Sequence, residues 1–340
     1  MIDRVRVGIV GFDHPHVLRF APMLAAQPHA TLEWIAADGP NRGAAEAMAA
    51  RLGVRHLPDP TDGLESIDAA YVATTPDRHL AVVRTLAPAG IHLLVDKPIA
   101  LTVEDGRAIV EAARAGGVRL MVPFNPRGQL GPRAIKERID RGDLGEIRLV
   151  HVVKVGKVPL TIPGIDASWL TDPARGRFGG FGDIGLHAVD ALRWLIGREA
   201  TRVYARIHRG VRPDLPVDSI GTATIEFEGG VIATLTAGWA NPDGYPSFLD
   251  ARFEVVGTKG AARVDHPYQE IRVADMDRFE RLAAARDDAA WNLGGFIDAV
   301  RRDVEPPITG EDGLRALELL LACYRSSELG EEVAVGGGAT

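Results

Sequence analysis

The first 122 residues alternate short apolar runs with amphipathic stretches, and that alternation admits few folds. The runs RVRVGIVG, TLEWIAA, DAAYVAT, GIHLLV and GVRLMVP read as strands. Between them, PHVLRFAPMLAAQ, RGAAEAMAARLG, DRHLAVVRTLAPAG and TVEDGRAIVEAARAGG carry apolar residues three and four apart. The last three end in glycine, as helix C-termini often do. Strand and helix in strict turn predict a parallel sheet wrapped by helices, here an α/β doubly wound nucleotide fold that opens on a strand running into a glycine turn. In such sheets ligands gather outside the carboxyl ends of the strands, so the post-strand loops are where function is expected.

After residue 122 the pattern changes. PRAIKERIDRG reads as a helix and EIRLVHVVKVGK as a strand, and SIGTATIEFEGGVIATLTAGW reads as a hairpin turning at Gly229 and Gly230. With ATRVYARIHR, ARFEVVGTKGAARVD and EIRVADM, these segments predict a second, α+β domain built on a large, mostly antiparallel sheet. One helix, DIGLHAVDALRWLIG, crosses it, and WNLGGFIDAVRRD and EDGLRALELLLACYRSSELG close the chain. At 340 residues two domains are expected, divided as 1–122 and 123–340. Helices are available for one face of the second sheet only. An open face of this kind is economically covered by another copy of the chain, so a homo-oligomer, dimer or tetramer, is expected.

Charge narrows the partners. A formal charge of −7 repels a phosphate polymer, which excludes nucleic acid as an expected partner. The single cysteine, Cys323, rules out an internal disulfide and a cysteine-rich zinc site, and its apolar setting reads as a buried structural thiol. The N-terminal stretch carries charges where a secretory segment is apolar, and no run has the length of a membrane span. A cytoplasmic protein without membrane partners is expected, with a frayed glycine-rich tail.

VGIVGFDHPHV, residues 7 to 17, begins as a phosphate-binding turn with Gly8 and Gly11 and then places Asp13 and His16 where further glycines belong. The helix expected to begin near Pro15 offers free N–H groups and a positive dipole end to a diphosphate. A carboxylate aimed at that diphosphate is prohibitive, because two unit charges at 4 Å cost roughly 4 kcal/mol at a surface-like dielectric. Asp13 is therefore expected to turn away and cap the helix. His16, in place of the last glycine, is expected to hold that helix slightly farther from the sheet. Asp38, 27 positions after Gly11 at the end of the second strand, reads either as the acid that takes ribose hydroxyls or as a turn residue ahead of Gly39 and Pro40. The first reading favours NAD over NADP, and nearby Arg42 works against that preference.

Two further segments carry chemistry. HLLVDKPIA ends a buried strand in Asp96, Lys97 and Pro98, where an ammonium points toward the ligand crevice; a solvated loop lysine is the plainer reading. Proline restricts Lys97 to extended backbone and admits a cis peptide. In GGFGDIGLHAVDALRW, Asp183 and His187 are four apart and share one helix face with Asp190 and Trp194. A carboxylate beside an imidazole suits a general base, and a helix-terminal acid with a core histidine fits equally well.

Together these pieces resemble the glucose-fructose oxidoreductase and inositol dehydrogenase (Gfo/Idh/MocA) family. The resemblance rests on Asp96-Lys97-Pro98 for a family Glu-Lys-Pro, on Gly179, Gly180, Asp183, Gly185 and His187, and on the segment carrying Thr75, Pro76 and His79. It covers nearly the whole chain and implies an N-terminal Rossmann domain and oxidation of a secondary alcohol on a sugar, sugar derivative or cyclitol by NAD or NADP, or the reverse reduction. It further implies that Lys97 holds the reacting oxygen, that His187 is the acid/base with Asp183 beside it, and that Asn125 lies near the nicotinamide. Cofactor contacts are expected from Gly8, Gly11, Phe12, Asp13, His14 and Asp38. Others are expected from Arg42, Thr74, Thr75, Pro76, His79, Asp96, Lys97 and Pro98. Substrate contacts are expected from Lys97, Asp183 and His187 and from Arg127, Lys154 and Trp169, with Lys154 the best single choice. Lys157, Trp239, Asn241 and Tyr245 read more simply as surface or packing residues.

Two other classes compete. His14 and His16 with Lys97, Asp183 and His187 suggest a metal-dependent hydrolase or lyase, against which the strand-helix alternation stops short of the eight units of a barrel. An enzyme that cycles bound NAD in a non-oxidative sugar reaction keeps the same fold.

Overall fold

The computed structural model describes residues 3–265, 270–275, 279–283 and 288–336. The last residues of the glycine-rich tail lie outside them. Two compact units result, one from residues 1–123, 159–177 and 289–317, the other from 124–158, 178–288 and 318–340.

The first unit holds a six-stranded parallel sheet in the order β3-β2-β1-β4-β5-β6. Its strands are β1 (Val5–Val10), β2 (Ala30–Ala36), β3 (Arg55–Leu57), β4 (Ala69–Val72), β5 (His92–Val95) and β6 (Leu120–Met121). The five predicted runs supply all but β3, whose three residues Arg-His-Leu are too short and polar for the pattern to show. Helices α1 (Val17–Ala25), α2 (Arg42–Leu52), α3 (His79–Leu86) and α4 (Val103–Ala115) connect them. The strand order turns back between β1 and β4, and a ligand crevice is expected at that point.

Two later segments return to this unit, which corrects the simple division at 122. Residues 159–177 bring the Trp169 indole N–H to the Asp13 carbonyl at 2.9 Å and the Asp166 N–H to Asn41 Oδ1 at 2.7 Å. Thr309 bridges Met121, and Arg119 holds Asp303 at 2.8 Å. Such pairings join residues more than a hundred positions apart and leave no local signal.

The second unit is a nine-stranded sheet, β14-β13-β12-β11-β7-β10-β9-β8-β15, antiparallel throughout except where β10 runs parallel to β7. Short α5 (Asn125–Gly128) and α6 (Leu130–Asp140) precede β7 (Ile147–Gly156). Then come α7 (Gly180–Ile196), β8 (Ala200–His208), β9 (Ile220–Phe227), β10 (Val231–Gly238), β11 (Leu249–Gly257), β12 (Gly260–Asp265), β13 (Glu270–Asp275) and β14 (Phe279–Ala283). Helices α8 (Asp288–Arg302) and α9 (Gly310–Leu329) and strand β15 (Val333–Ala334) end the chain. The β9-β10 hairpin turns at Gly229 and Gly230, both at positive φ, as predicted. Residues alternate along β7 to β10, and α7 packs on β7 and β10. The opposite face leaves Tyr204 and Ile232 41% and 47% exposed beside Thr222, Thr224 and Glu226.

Candidate active site

At the carboxyl ends of β1, β2 and β4 the first unit opens a cleft of about 310 Å³, lined by Gly11, Asp38, Thr74 and Arg78 among others. Gly11 shapes it: its φ is +84°, and a Cβ there would meet the Thr74 main-chain nitrogen at 2.6 Å. Gly8 has a different reason. It lies inside β1, and a side chain would run into the Trp34 indole at 2.6 Å, so this glycine serves strand packing rather than the turn. The hydroxyls of Thr74 and Thr75 are buried with no hydrogen-bond partner among the described residues. Unpaired buried hydroxyls are costly and call for a polar ligand. With the glycine turn and Asp38 they fit the adenosine half of a dinucleotide.

The turn itself departs from expectation. Helix α1 begins at Val17, and His16 precedes it without a side-chain capping bond. Asp13 therefore does not cap it. Its carboxylate is buried and accepts Asn41 Nδ2 at 3.2 Å, while its own N–H and that of His14 both donate to the Ala73 carbonyl. Burial raises the Asp13 pKa, and the Asn41 hydrogen bond and Arg78 offset this in part. The donors of Asp13 and His14 are thus committed to the end of β4 rather than presented to a ligand. Phe12 is packed in the core.

Asp38 stands at the predicted strand end, held by Arg78 through both oxygens at 2.7 and 2.9 Å. That hydrogen bonding lowers its pKa against the opposing effect of burial. Arg42 pairs instead with Glu46, one turn along α2, at 2.9 Å. The basic residue beside Asp38 is thus Arg78, which the sequence reading passed over although it lies two residues after Pro76 in the loop beyond β4.

His79 is fully buried, with Nδ1 3.1 Å from the Ile99 carbonyl and Nε2 3.2 Å from the Thr74 carbonyl. It pins the loops after β4 and β5 together, a structural task rather than a visible cofactor contact. Burial lowers its pKa.

Asp96 and Lys97 are both buried, and the Lys97-Pro98 peptide is cis. The Asp96 carboxylate accepts the Lys97 N–H at 2.8 Å and the Tyr71 hydroxyl, and lies 3.0 Å from His16 Nδ1 and 3.2 Å from His14 Nδ1. Burial opposes its charge, but the two imidazoles and the donated hydrogen bonds hold its pKa far below the usual range. His16, where the fingerprint wants glycine, therefore reaches across to β5 and stacks on Phe20. Tyr71, an ordinary strand residue by pattern, was not foreseen.

The second unit builds its site on α7. A Cβ on Gly179 would lie 2.0 Å from the Asp218 carbonyl, and one on Gly180 2.4 Å from that of Ser219. This close approach, which only glycines permit, lets Asp218 receive the N–H groups of Gly179 and Phe181 at 3.0 and 2.7 Å and the Tyr324 hydroxyl at 2.7 Å. From that anchored start, Asp183 accepts the Trp239 indole N–H at 2.9 Å, and His187 meets the edge of Phe124 with ring centroids 5.9 Å apart. Lys154 is buried on β7, between Ala237 of β10 and Ala251 of β11. Asn125 starts α5.

Two expected substrate residues are otherwise engaged. Arg127 is buried and forks onto Asp190 at 2.6 and 2.9 Å, an ion pair that balances two charges inside the unit. Trp169 covers the glycine turn, its ring centroid 5.7 Å from that of His14.

A family profile described as "Oxidoreductase family, NAD-binding Rossmann fold" matches residues 5–124, and one described as "GFO/IDH/MocA C-terminal domain" matches residues 133–263. Inositol 2-dehydrogenase of Rhizobium meliloti is 29% identical over 83% of this chain and 86% of its own length. The scyllo-inositol 2-dehydrogenase (NAD(+)) of Bacillus subtilis is 27% identical over 98% of this chain and 97% of its own. The crystal structure of GenD2 from gentamicin A biosynthesis, in complex with NAD, superposes with a TM-score of 0.83 at 26% identity, covering 99% of this chain and 98% of that one.

Proposed function

Because the chain belongs to the GFO/IDH/MocA family of NAD-binding oxidoreductases, we propose that it moves a hydride between nicotinamide and a secondary alcohol or ketone of a sugar, sugar derivative or cyclitol. The observation that carries this reading is the cleft at the carboxyl ends of β1, β2 and β4, lined by Gly11, Thr74 and the Asp38–Arg78 pair, with the Thr74 hydroxyl buried and without a hydrogen-bond partner among the described residues. The substrate class follows the names of the inositol-oxidising relatives.

The cofactor, when bound, supplies the hydride acceptor or donor. Asp38, once released by Arg78, would take the ribose hydroxyls, which favours NAD, and the Thr74 hydroxyl would hold the nucleotide. The family resemblance gives Lys97 the part of hydrogen-bonding the reacting oxygen and His187 that of the acid/base. Asp183, fixed by Trp239, and the buried Lys154 share the second unit with His187 and serve substrate placement. Proton transfer by a positioned group is typically worth about 10²- to 10⁴-fold. The exposed sheet face with Tyr204 and Ile232 suits a second copy of the chain, and the single buried cysteine fits the cytoplasm. No helix among the described residues is long and apolar enough to cross a membrane.

The test is a fluorescence titration with reduced NAD and reduced NADP, followed by a panel of sugars, sugar acids and inositols watched for reduced nicotinamide. Lys97→Ala and His187→Ala should each lose about 10²-fold or more in kcat while keeping nucleotide affinity. Failure to bind either nucleotide ends the reading.

A further inference from the structure

His14, His16 and Asp96 place three ligand atoms within 4.8 Å of one another, just beyond the carboxyl ends of β1 and β5. His14 Nδ1 is 3.2 Å from one Asp96 oxygen and His16 Nδ1 is 3.0 Å from the other. The three side chains are 4%, 21% and 0% exposed.

The contacts around the cluster bear on what lies between these atoms. The main-chain N–H of His16 points at His14 Nδ1 from 3.2 Å, the direction of a donor toward a ligating ring nitrogen. Two ring nitrogens each facing an Asp96 oxygen at 3.2 and 3.0 Å in a buried pocket form an approach that a cation between them, a proton or a metal ion, makes favourable. In a tetrahedral site with bonds of about 2.0–2.1 Å, neighbouring ligand atoms stand roughly 3.3 Å apart, so three atoms within 4.8 Å of one another must draw somewhat together to share one ion. The outer contacts suit an ion. Tyr71 O–H and Lys97 N–H donate to the carboxylate and orient it, as supporting groups do around bound metals. Phe20 stacks on His16 and Trp169 lies against His14, which keeps water away.

We propose that His14, His16 and Asp96 bind one divalent transition-metal ion of the zinc class, a site additional to the nucleotide cleft and independent of the hydride-transfer reading. Two imidazoles and one carboxylate suit such an ion better than magnesium or calcium, and three protein ligands leave a coordination position open. The site gives His16 a purpose: the glycine absent from the fingerprint is replaced by a ligand.

The experiment uses tag-free full-length protein stripped with a chelator, titrated with Co2+ by visible absorption and with Zn2+ by calorimetry. One equivalent per chain should bind, with the d–d bands of a nitrogen and oxygen site. His14→Asn and His16→Asn should each weaken Zn2+ binding about tenfold or more and abolish the Zn2+-dependent rise in Tm. Should a variant fail to fold, wild-type protein gives the answer by diethyl pyrocarbonate labelling and peptide mapping, with Zn2+ protecting His14 and His16. No binding by wild-type protein, unchanged binding in the variants, or labelling of both histidines unaffected by Zn2+ overturns the proposal. Nucleotide titration of the same stripped protein reports separately on the oxidoreductase reading.

Discussion

Arg78 closes on Asp38 with two hydrogen bonds, at 2.7 and 2.9 Å, at the edge of the first unit's cleft. The side chains are 43% and 59% exposed, and an ion pair so placed is worth about 0–1 kcal/mol, so it opens cheaply. Once open, Asp38 is available to ribose hydroxyls and Arg78 to a 2′-phosphate. Arg78→Ala should leave NAD affinity within about threefold and weaken NADP about tenfold or more, whereas Asp38→Asn should do the reverse. Titration of both variants with both reduced nucleotides decides this. Equal losses for the two nucleotides would remove the pair from cofactor choice.

Asp13 is the liability of the turn, a buried carboxylate in the loop where a diphosphate is expected. Burial raises its pKa above 3.8, so its charge is removed as pH falls through that raised value. Asp13→Asn keeps an oxygen for the Asn41 amide and removes the charge permanently. It should tighten NAD binding up to about tenfold, roughly 1.4 kcal/mol, with the gap to wild type narrowing as pH falls. Asp13→Gly should not weaken binding. Dissociation constants measured from neutral pH down into the acid range check both the sign and the convergence.

The parallel sheet was legible because each of its buried strands writes a continuous apolar run, and β3 escaped because Arg55 to Leu57 writes none. Gly229 and Gly230 announced their hairpin by local turn chemistry. Gly179 and Gly180 were recognised only as a motif, since the Asp218 and Ser219 carbonyls that forbid a side chain there lie about forty positions away. The same holds for Trp169 on Asp13 and for Arg127 on Asp190: pairings across long sequence separation leave no periodicity. Asp13 misled because an Asp ahead of a helix is usually its cap, and here Asn41 and Ala73 claimed it first.

His79 predicts a pH effect on stability. Burial holds its folded-state pKa below the ordinary value of about 6.5, so the unfolded chain takes up a proton more readily. Its contribution is fully present above about pH 6.5 and is lost as pH falls toward the lowered value. His92, also lowered by burial, adds in the same direction. Thermal melts should show Tm falling as pH drops below about 6.5, and His79→Gln should be less stable at the higher pH yet fall less. Parallel curves for the two proteins would refute the assignment.

Asp218 fixes the start of α7, and so the origin from which Asp183 and His187 project. Its carboxylate satisfies two N–H groups at the helix N-terminus, where negative charge is also favoured by the helix dipole, and it receives the Tyr324 hydroxyl besides. Asp218→Ala strands all three donors and should cost about 2–4 kcal/mol of stability, whereas Tyr324→Phe removes one hydrogen bond and should cost about 1 kcal/mol. Because neither residue belongs to the unit that carries the nucleotide cleft, both variants should keep NAD affinity. A displaced His187 appears instead as a loss of kcat with little change in nucleotide dissociation constant, and Asp218→Asn, which retains an acceptor oxygen, should recover part of it. If Asp218→Ala folds and keeps full kcat, the carboxylate supports the unit's packing without setting the position of the His187 imidazole.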